Sequence, residues 1–239
     1  MDLSDKVTVI TGASSGLGKA LAARLAHEKA RLILLSRSAQ KLQDIAWYIA
    51  QEGGLCSCFS CNVTDLSQVK NAISYVTEAY GTVDVLINCA TIWQEGTTES
   101  HTDEKVREMF EVNSLGVISM TREVLPHMKK AGHGSILNIV SSAGIDIREN
   151  APIYTATKFA ERGFTESLKK EVGGSGIRVM GLYPGGLDGD LFTTQPFEMT
   201  GEHKRTIKDT VADIAVFMLT QPEEIVIDRV QAQRPDARS

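Results

Sequence analysis

The sequence predicts a single-domain, doubly wound α/β fold on a mostly parallel sheet of seven strands. Three observations carry that prediction. Short apolar runs alternate with amphipathic stretches along most of the chain. The runs lack polar alternation, which is the pattern of parallel strands covered on both faces. The 239 residues contain no repeat, low-complexity tract or linker, and α/β proteins of that length routinely fold as one domain.

The elements follow in order. A strand over 7–10 leads into a helix over 17–28, and a strand over 31–35 into a helix over 40–52. The Cys-rich run 56–61 reads as a third strand, with a helix over 67–80 that Gly81 can terminate. A fourth strand, 83–87, precedes a long helical pattern over 104–130. A fifth, 134–140, precedes a helix over 152–172 that Gly173 and Gly174 close. A sixth strand over 176–183, a helix over 209–219 and a last strand over 224–230 complete the pattern. In such a sheet the ligand crevice lies beyond the carboxyl ends of the strands.

Composition narrows the function. The net charge of −5 and the scattered Lys and Arg lack the electrostatic footprint of a nucleic-acid binder. The densest basic cluster, His203, Lys204 and Arg205, is flanked by Glu202 and Asp209 and reads as a solvated face. The polar, acidic start of the chain and the absence of a long apolar run lead us to expect a cytoplasmic protein without membrane contact. Cys56, Cys58, Cys61 and Cys89 do not match zinc-ligand spacing, so no metal is expected. Cys in a strand behaves as a small buried hydrophobe, and reduced thiols suit the cytosol. The five histidines show no ligand spacing.

Where the first strand ends, Gly12, Gly16 and Gly18 punctuate a turn that opens directly into a helix. Glycines there let the backbone approach a ligand, and the helix N-terminus offers free amides to a pyrophosphate. The second strand ends in Ser36-Arg37-Ser38, with no carboxylate to repel a 2′-phosphate. Arg37 can offer that phosphate a charge-assisted contact, helped by Ser14 and Ser38, so the cofactor expected is NADP(H). Further along, Tyr154 and Lys158 are spaced i, i+4 on one helix face. A nearby cation favours the phenolate and brings a tyrosine closer to useful proton exchange. Ser141 lies thirteen residues before Tyr154, in a segment leaving the fifth strand. Asn113 interrupts a long helical pattern in which Asn is not a favoured helix former.

Together these segments resemble the short-chain dehydrogenase/reductase family, in its NADP(H)-preferring branch, over nearly the whole length. The family pattern TGxxxGxG falls on 11–18, YxxxK on Tyr154 to Lys158, the serine on Ser141 and the fourth catalytic member on Asn113. The resemblance implies a Rossmann fold and hydride transfer between nicotinamide and a small-molecule carbonyl or alcohol, most readily as reduction. It implies that Tyr154 exchanges the proton and Ser141 binds the substrate oxygen. Lys158 lowers the tyrosine pKa and holds the nicotinamide ribose, and Asn113 anchors a water linking Lys158 to solvent. The cofactor-binding set it implies comprises Gly12, Ser14, Ser15, Gly16, Leu17, Gly18, Arg37, Asn62, Val63, Asn88, Ala90, Tyr154, Lys158, Pro184, Gly185 and Leu187.

Several positions depart from the family pattern. Its NNAG reads Asn88-Cys89-Ala90-Thr91, its adenine-contacting Asp is Asn62, and Gly189 stands where a Thr is usual. Substrate recognition in the family comes from variable segments, here 91–96, 143–153 and a loop over 186–207. In the last, Leu191, Phe192, Phe197 and Met199 suit a lid over a partly apolar substrate. Arg148 is a candidate for pairing with a substrate carboxylate, and Trp93 for lining the pocket. The resemblance also implies a homodimer or homotetramer built on the helices of Asn113 and Tyr154. Two other functions fit the same fold: a non-catalytic NADPH-binding regulator and an NAD-linked alcohol dehydrogenase.

Overall fold

The computed structural model describes residues 1–185 and 207–233. Its seven strands are β1 (Val7–Thr11), β2 (Arg31–Ser36), β3 (Leu55–Ser60), β4 (Val85–Asn88), β5 (Gly134–Ile139), β6 (Ile177–Pro184) and β7 (Arg229–Ala232). They form one sheet in the order β3-β2-β1-β4-β5-β6-β7. Every pairing is parallel, so among the described residues the sheet is parallel throughout rather than mostly so. Strand order reverses between β1 and β4, and that switch point opens the ligand crevice.

Alternate residues of the strands feed two apolar layers. Ile10, Leu32, Leu34, Val85, Ile87 and Leu137 face one side and pack against α1 (Gly16–His27), α2 (Ala39–Gln51) and α7 (Ile207–Thr220). Val9, Ile33, Leu35, Leu86 and Ile136 face the other and pack against α3 (Leu66–Tyr80), α5 (Gly116–Ala131) and α6 (Pro152–Glu171). Each fully buried Leu or Ile contributes about 1.5–3 kcal/mol, so this double layer holds the sheet together under the crevice. Asp65 caps α3 by accepting from the Ser67 and Gln68 amides, and Gly81 closes it at φ 81°, as the sequence predicts.

The long helical pattern is interrupted in one place. α4 (Asp103–Phe110) runs into a π turn, Glu111–Leu115, and on into α5 without a break. Asn113 lies in that turn and is fully buried. A π insertion rotates the following helix and commonly marks a functional position, which accounts for a poor helix former at the centre of a long helix.

Two strand expectations need correction. The last strand is Arg229–Ala232 and not 224–230, because Ile225 and Val226 are exposed in irregular chain after a turn and pairing with β6 begins only at Arg229. The Cys-rich strand is an edge strand with a neighbour on one side, so Cys56 and Cys58 are half-buried; only Cys61, just past its end, is buried. Leu187, Gly189 and the substrate loop over 186–207 lie outside the described residues, apart from the last position, which opens α7. Among the described residues no helix is long and apolar enough to cross a membrane.

Candidate active site

A cleft of about 620 Å³ runs along the carboxyl ends of the strands. Its floor is the turn from β1 into α1. Gly12 has φ 67°, and a Cβ there would lie 2.8 Å from the Ala90 Cα. A Cβ on Gly18 would run into the Gly12 carbonyl oxygen. Both positions therefore need glycine for close packing of turn, helix and neighbouring loop. Thr11 locks this junction, its Oγ1 accepting from the amides of Cys89 (3.0 Å) and Ala90 (3.1 Å) beyond β4. Ser15 precedes α1 in extended conformation without capping it through its side chain. The first-turn amides of α1 are left as donors for an anion in the cleft.

At one end the cleft is lined by Ser36, Arg37, Ser38 and Lys41, and Arg37 and Lys41 are exposed cations. Lys41 was not singled out by the sequence reasoning; its place four residues beyond Arg37, in the first turn of α2, was the available signal. Asn62 and Val63 line the adjoining wall, where Asn62 Oδ1 accepts from the Thr64 amide. Among the described lining residues Glu95 is the only carboxylate. Of the residues the sequence assigns to the cofactor, Gly12, Ser14, Ser15, Gly16, Leu17, Gly18, Ala90, Pro184 and Gly185 also line the cleft.

Asn88 does not. It is buried below the cleft, its Nδ2 donating to Asn138 Oδ1 (2.9 Å) and Thr121 Oγ1 (3.3 Å). Asn138 in turn donates to Thr165 Oγ1, so Asn88 stitches β4 to β5, α5 and α6. Its place at the end of a strand gave no sign of which face its side chain takes.

Tyr154 and Ser141 both line the opposite end of the cleft. Tyr154 is 6% exposed and packs edge-on against Trp93, ring centroids 4.5 Å apart, with Ala143 and Met109 behind it. Ser141 adopts φ 140° and ψ 153°, a conformation that L-residues rarely take, and its Oγ accepts from the Ala143 amide. Strain of this kind concentrates at functional sites and costs about 1–3 kcal/mol. Next to it Ser142 is buried and accepts from Arg148 Nη2 at 2.9 Å, so Arg148 lies along the cleft wall, half-buried, and is not free in solvent. Asn150 donates to Glu95, joining the loops after β4 and β5 at the cleft mouth.

Asn113 and Lys158 stand behind the cleft wall. Asn113 Oδ1 accepts from the Ile92 amide and Thr91 Oγ1, while Nδ2 donates to the Ile92 carbonyl and Thr157 Oγ1. These bonds use the full capacity of its amide. The side chain clamps the loop after β4 to α6, and Thr91 is part of the clamp. Lys158 Nζ lies 5.7 Å from the Tyr154 ring centroid and 2.7 Å from Glu161 Oε2, with both charged side chains 1% exposed. Burial works against the ammonium, but the charges of Glu161 and Tyr154 outweigh it and hold Lys158 above the ordinary lysine value. Burial pushes the Glu161 carboxyl up to about 7, against the pull of Lys158. Burial likewise pushes the Cys89 thiol up to about 12. Glu161 was not anticipated. Its signal was the stripe Tyr154, Lys158, Glu161, Thr165 and Leu168, all buried, which puts a carboxylate on the inner face of α6.

Residues 6–198 match the short chain dehydrogenase family. The chain belongs to that family. It is 31% identical to an uncharacterized oxidoreductase of Staphylococcus epidermidis over 228 residues, covering 95% of this chain and 96% of the relative. Among solved structures it is similar to an alcohol dehydrogenase from the archaeon Thermococcus sibiricus complexed with 5-hydroxy-NADP. That similarity has TM-score 0.86 and 29% identity, covering 96% of this chain and 98% of the other. It also resembles a metagenomic short-chain oxidoreductase in complex with NADP, with TM-score 0.85 and 27% identity, covering 98% and 99% of the two chains. As a short-chain dehydrogenase the protein is an oxidoreductase of a family that binds a nicotinamide cofactor. The cradle fits such a group: the two glycines allow close packing of the turn, and the start of α1, which lines the cleft, has first-turn amides that could take a pyrophosphate.

Proposed function

We propose that this short-chain dehydrogenase is an NADP(H)-dependent carbonyl reductase. The observation that carries the reading is a single cleft with Arg37 and Lys41 at one end and Tyr154 with Ser141 at the other. Arg37 and Lys41 would hold the 2′-phosphate, Asn62 and Val63 the adenine wall, and the glycine turn the pyrophosphate. The NADP compounds bound to two of its structural relatives favour the same cofactor. When bound, NADPH supplies the hydride.

The protein's part is orientation and proton delivery. Ser141 Oγ holds the substrate oxygen, and the Tyr154 hydroxyl passes it the proton as the carbon is reduced. Trp93 covers the tyrosine ring and keeps bulk water from that side. Lys158 is the positive charge beside the Tyr154 ring, and it would hold the nicotinamide ribose once turned toward the cleft. The amide of Asn113 is occupied, so a water relaying protons to Lys158 would have to use its backbone carbonyl. Arg148 on the wall favours substrates that present an anionic or strongly polar group near the carbonyl. Exposed Leu115 and Phe159, on the segments carrying Asn113 and Tyr154, favour a homo-oligomer built there. The four free thiols favour a reducing compartment, the cytoplasm.

The test is NADPH oxidation across ketones, aldehydes, diketones and 3-oxo acids, with Tyr154→Phe alongside. Turnover should fall by about 10²–10⁴-fold in the variant while NADPH binding is retained. Tight NADPH binding with no turnover on any carbonyl would replace this reading with that of a regulator. A preference for NADH would replace it with an NAD-linked dehydrogenase.

A further inference from the structure

Lys158 has a part in the reaction as described above, but Glu161, its buried partner behind Tyr154, has none. A surface Lys–Glu pair at i, i+3 contributes little and needs no explanation. A buried one must recover the desolvation of two ions, and apolar side chains would pack α6 as well. Lys158 Nζ has one other acceptor, the Ile139 carbonyl at 3.5 Å, so Glu161 at 2.7 Å dominates its surroundings. Tyr154 and Ser141 line the cleft, whereas Lys158, 1% exposed, stands behind its wall.

We propose that Glu161 is a positioning residue: ionised, it draws the Lys158 ammonium back from the cleft, and protonated, it releases the ammonium toward the nicotinamide ribose. The inference rests on the cofactor reading above. The Glu161 carboxyl, pushed up by burial to about 7, changes charge in the neutral range. The other titratable groups that its charge reaches are Cys89 beyond β4 and Tyr183 on β6. Burial pushes each of these up to about 12, so both stay neutral while Glu161 titrates. Tyr183 also feels Glu166, Arg162 and Arg229. The Ser142–Gly144 turn packed on α6 carries no titratable side chain. Glu111 of the π turn and Asp103, Glu104, Lys105, Arg107 and Glu108 of α4 are exposed or half-buried, where solvent screens them. Glu161 is thus the group placed to move Lys158 near neutrality.

The experiment titrates NADPH and NADH into wild type, Glu161→Gln and Glu161→Asp by cofactor fluorescence, at pH values on both sides of about 7. NADH lacks the 2′-phosphate, so pH dependence common to both nucleotides reports the ribose end. Wild-type affinity should weaken about tenfold as pH rises through the transition, the worth of one charge-assisted hydrogen bond. Glu161→Gln should bind tightly with that dependence gone, and Glu161→Asp, which keeps a carboxylate beside the lysine, should retain it. Equal affinities of wild type and Glu161→Gln at every pH would overturn the proposal. So would weaker binding by Glu161→Gln throughout. If the glutamine variant does not fold, Glu161→Met leaves no polar group to satisfy and is read the same way. Binding that is tight but independent of pH in wild type removes the positioning role and leaves the reductase reading intact. Failure to bind either nucleotide removes both.

Discussion

Replacing Arg37 by Ala tests the choice of cofactor where the structure exposes it most. Arg37 leaves β2 at the cleft rim with Lys41 one helical turn away. The Ser36 hydroxyl accepts from the Ser38 amide at 3.1 Å and is committed to the turn, so in the cofactor reading proposed above the two cations supply the charge for a 2′-phosphate. A hydrogen bond to a charged group contributes about 1.5–3 kcal/mol. Arg37 is exposed and salt screens it, which brings the expected loss down to about 1–2 kcal/mol. That corresponds to about 5–30-fold in the Kd for NADPH. The Kd for NADH should stay within about twofold, since an exposed rim charge contributes little to a ligand it does not touch. Calorimetric titration of both nucleotides, at low and physiological salt, gives the ratio of the two constants. Arg37→Ala should lower NADPH selectivity and flatten its salt dependence, and adding Lys41→Ala should remove most of what remains. An unchanged NADPH-to-NADH ratio would refute the assignment of this end of the cleft to the phosphate.

Two more outcomes follow from the same geometry. Ser141→Gly removes the strain at φ 140° and should raise the melting temperature while lowering turnover by at least about tenfold; a drop in both would mean that the Ser141 bond to the Ala143 amide outweighs the strain. Stability should also fall as pH rises, because an unfolded Glu161 releases its proton near 4.5 and the folded one near about 7. The raised folded value makes the contribution full below about 4.5 and progressively lost up to about 7, roughly 3 kcal/mol over the window. Thermal unfolding across those pH values should show the slope in wild type and not in Glu161→Gln, and equal slopes would assign it to other groups.

The alternation of apolar runs and helices was legible because a sheet covered on both faces leaves its strands no polar positions. Ile225 and Val226 misled the reading of the last strand because a short apolar run looks the same in irregular chain as in an edge strand. At the cleft, the sequence-derived residues that the structure places on the wall include those whose backbone forms it, such as Gly12, Gly18, Ala90 and Pro184. Asn88 lies off the cleft lining, and spacing places a residue at the end of a strand without telling which face its side chain takes. The tie between Arg148 and Ser142 was hidden for a related reason: it joins two turns of the loop after β5, whose local path no periodicity describes.

Lys158 shows why electrostatics was the least legible layer. The i, i+4 spacing places its stem beside Tyr154, but an ammonium on four methylenes has room to face the cleft or the interior. What decides between them is the next member of the same stripe, Glu161, which α6 buries because the residues at the same helical phase, Thr165 and Leu168, are buried. A carboxylate there costs desolvation that only a cation can offset, and Lys158 is the cation in reach. The helix that presents Tyr154 to the cleft and sets Lys158 behind it therefore also carries the lysine's counter-ion. The charge felt at Tyr154 depends on the protonation of Glu161 as well as on the presence of Lys158.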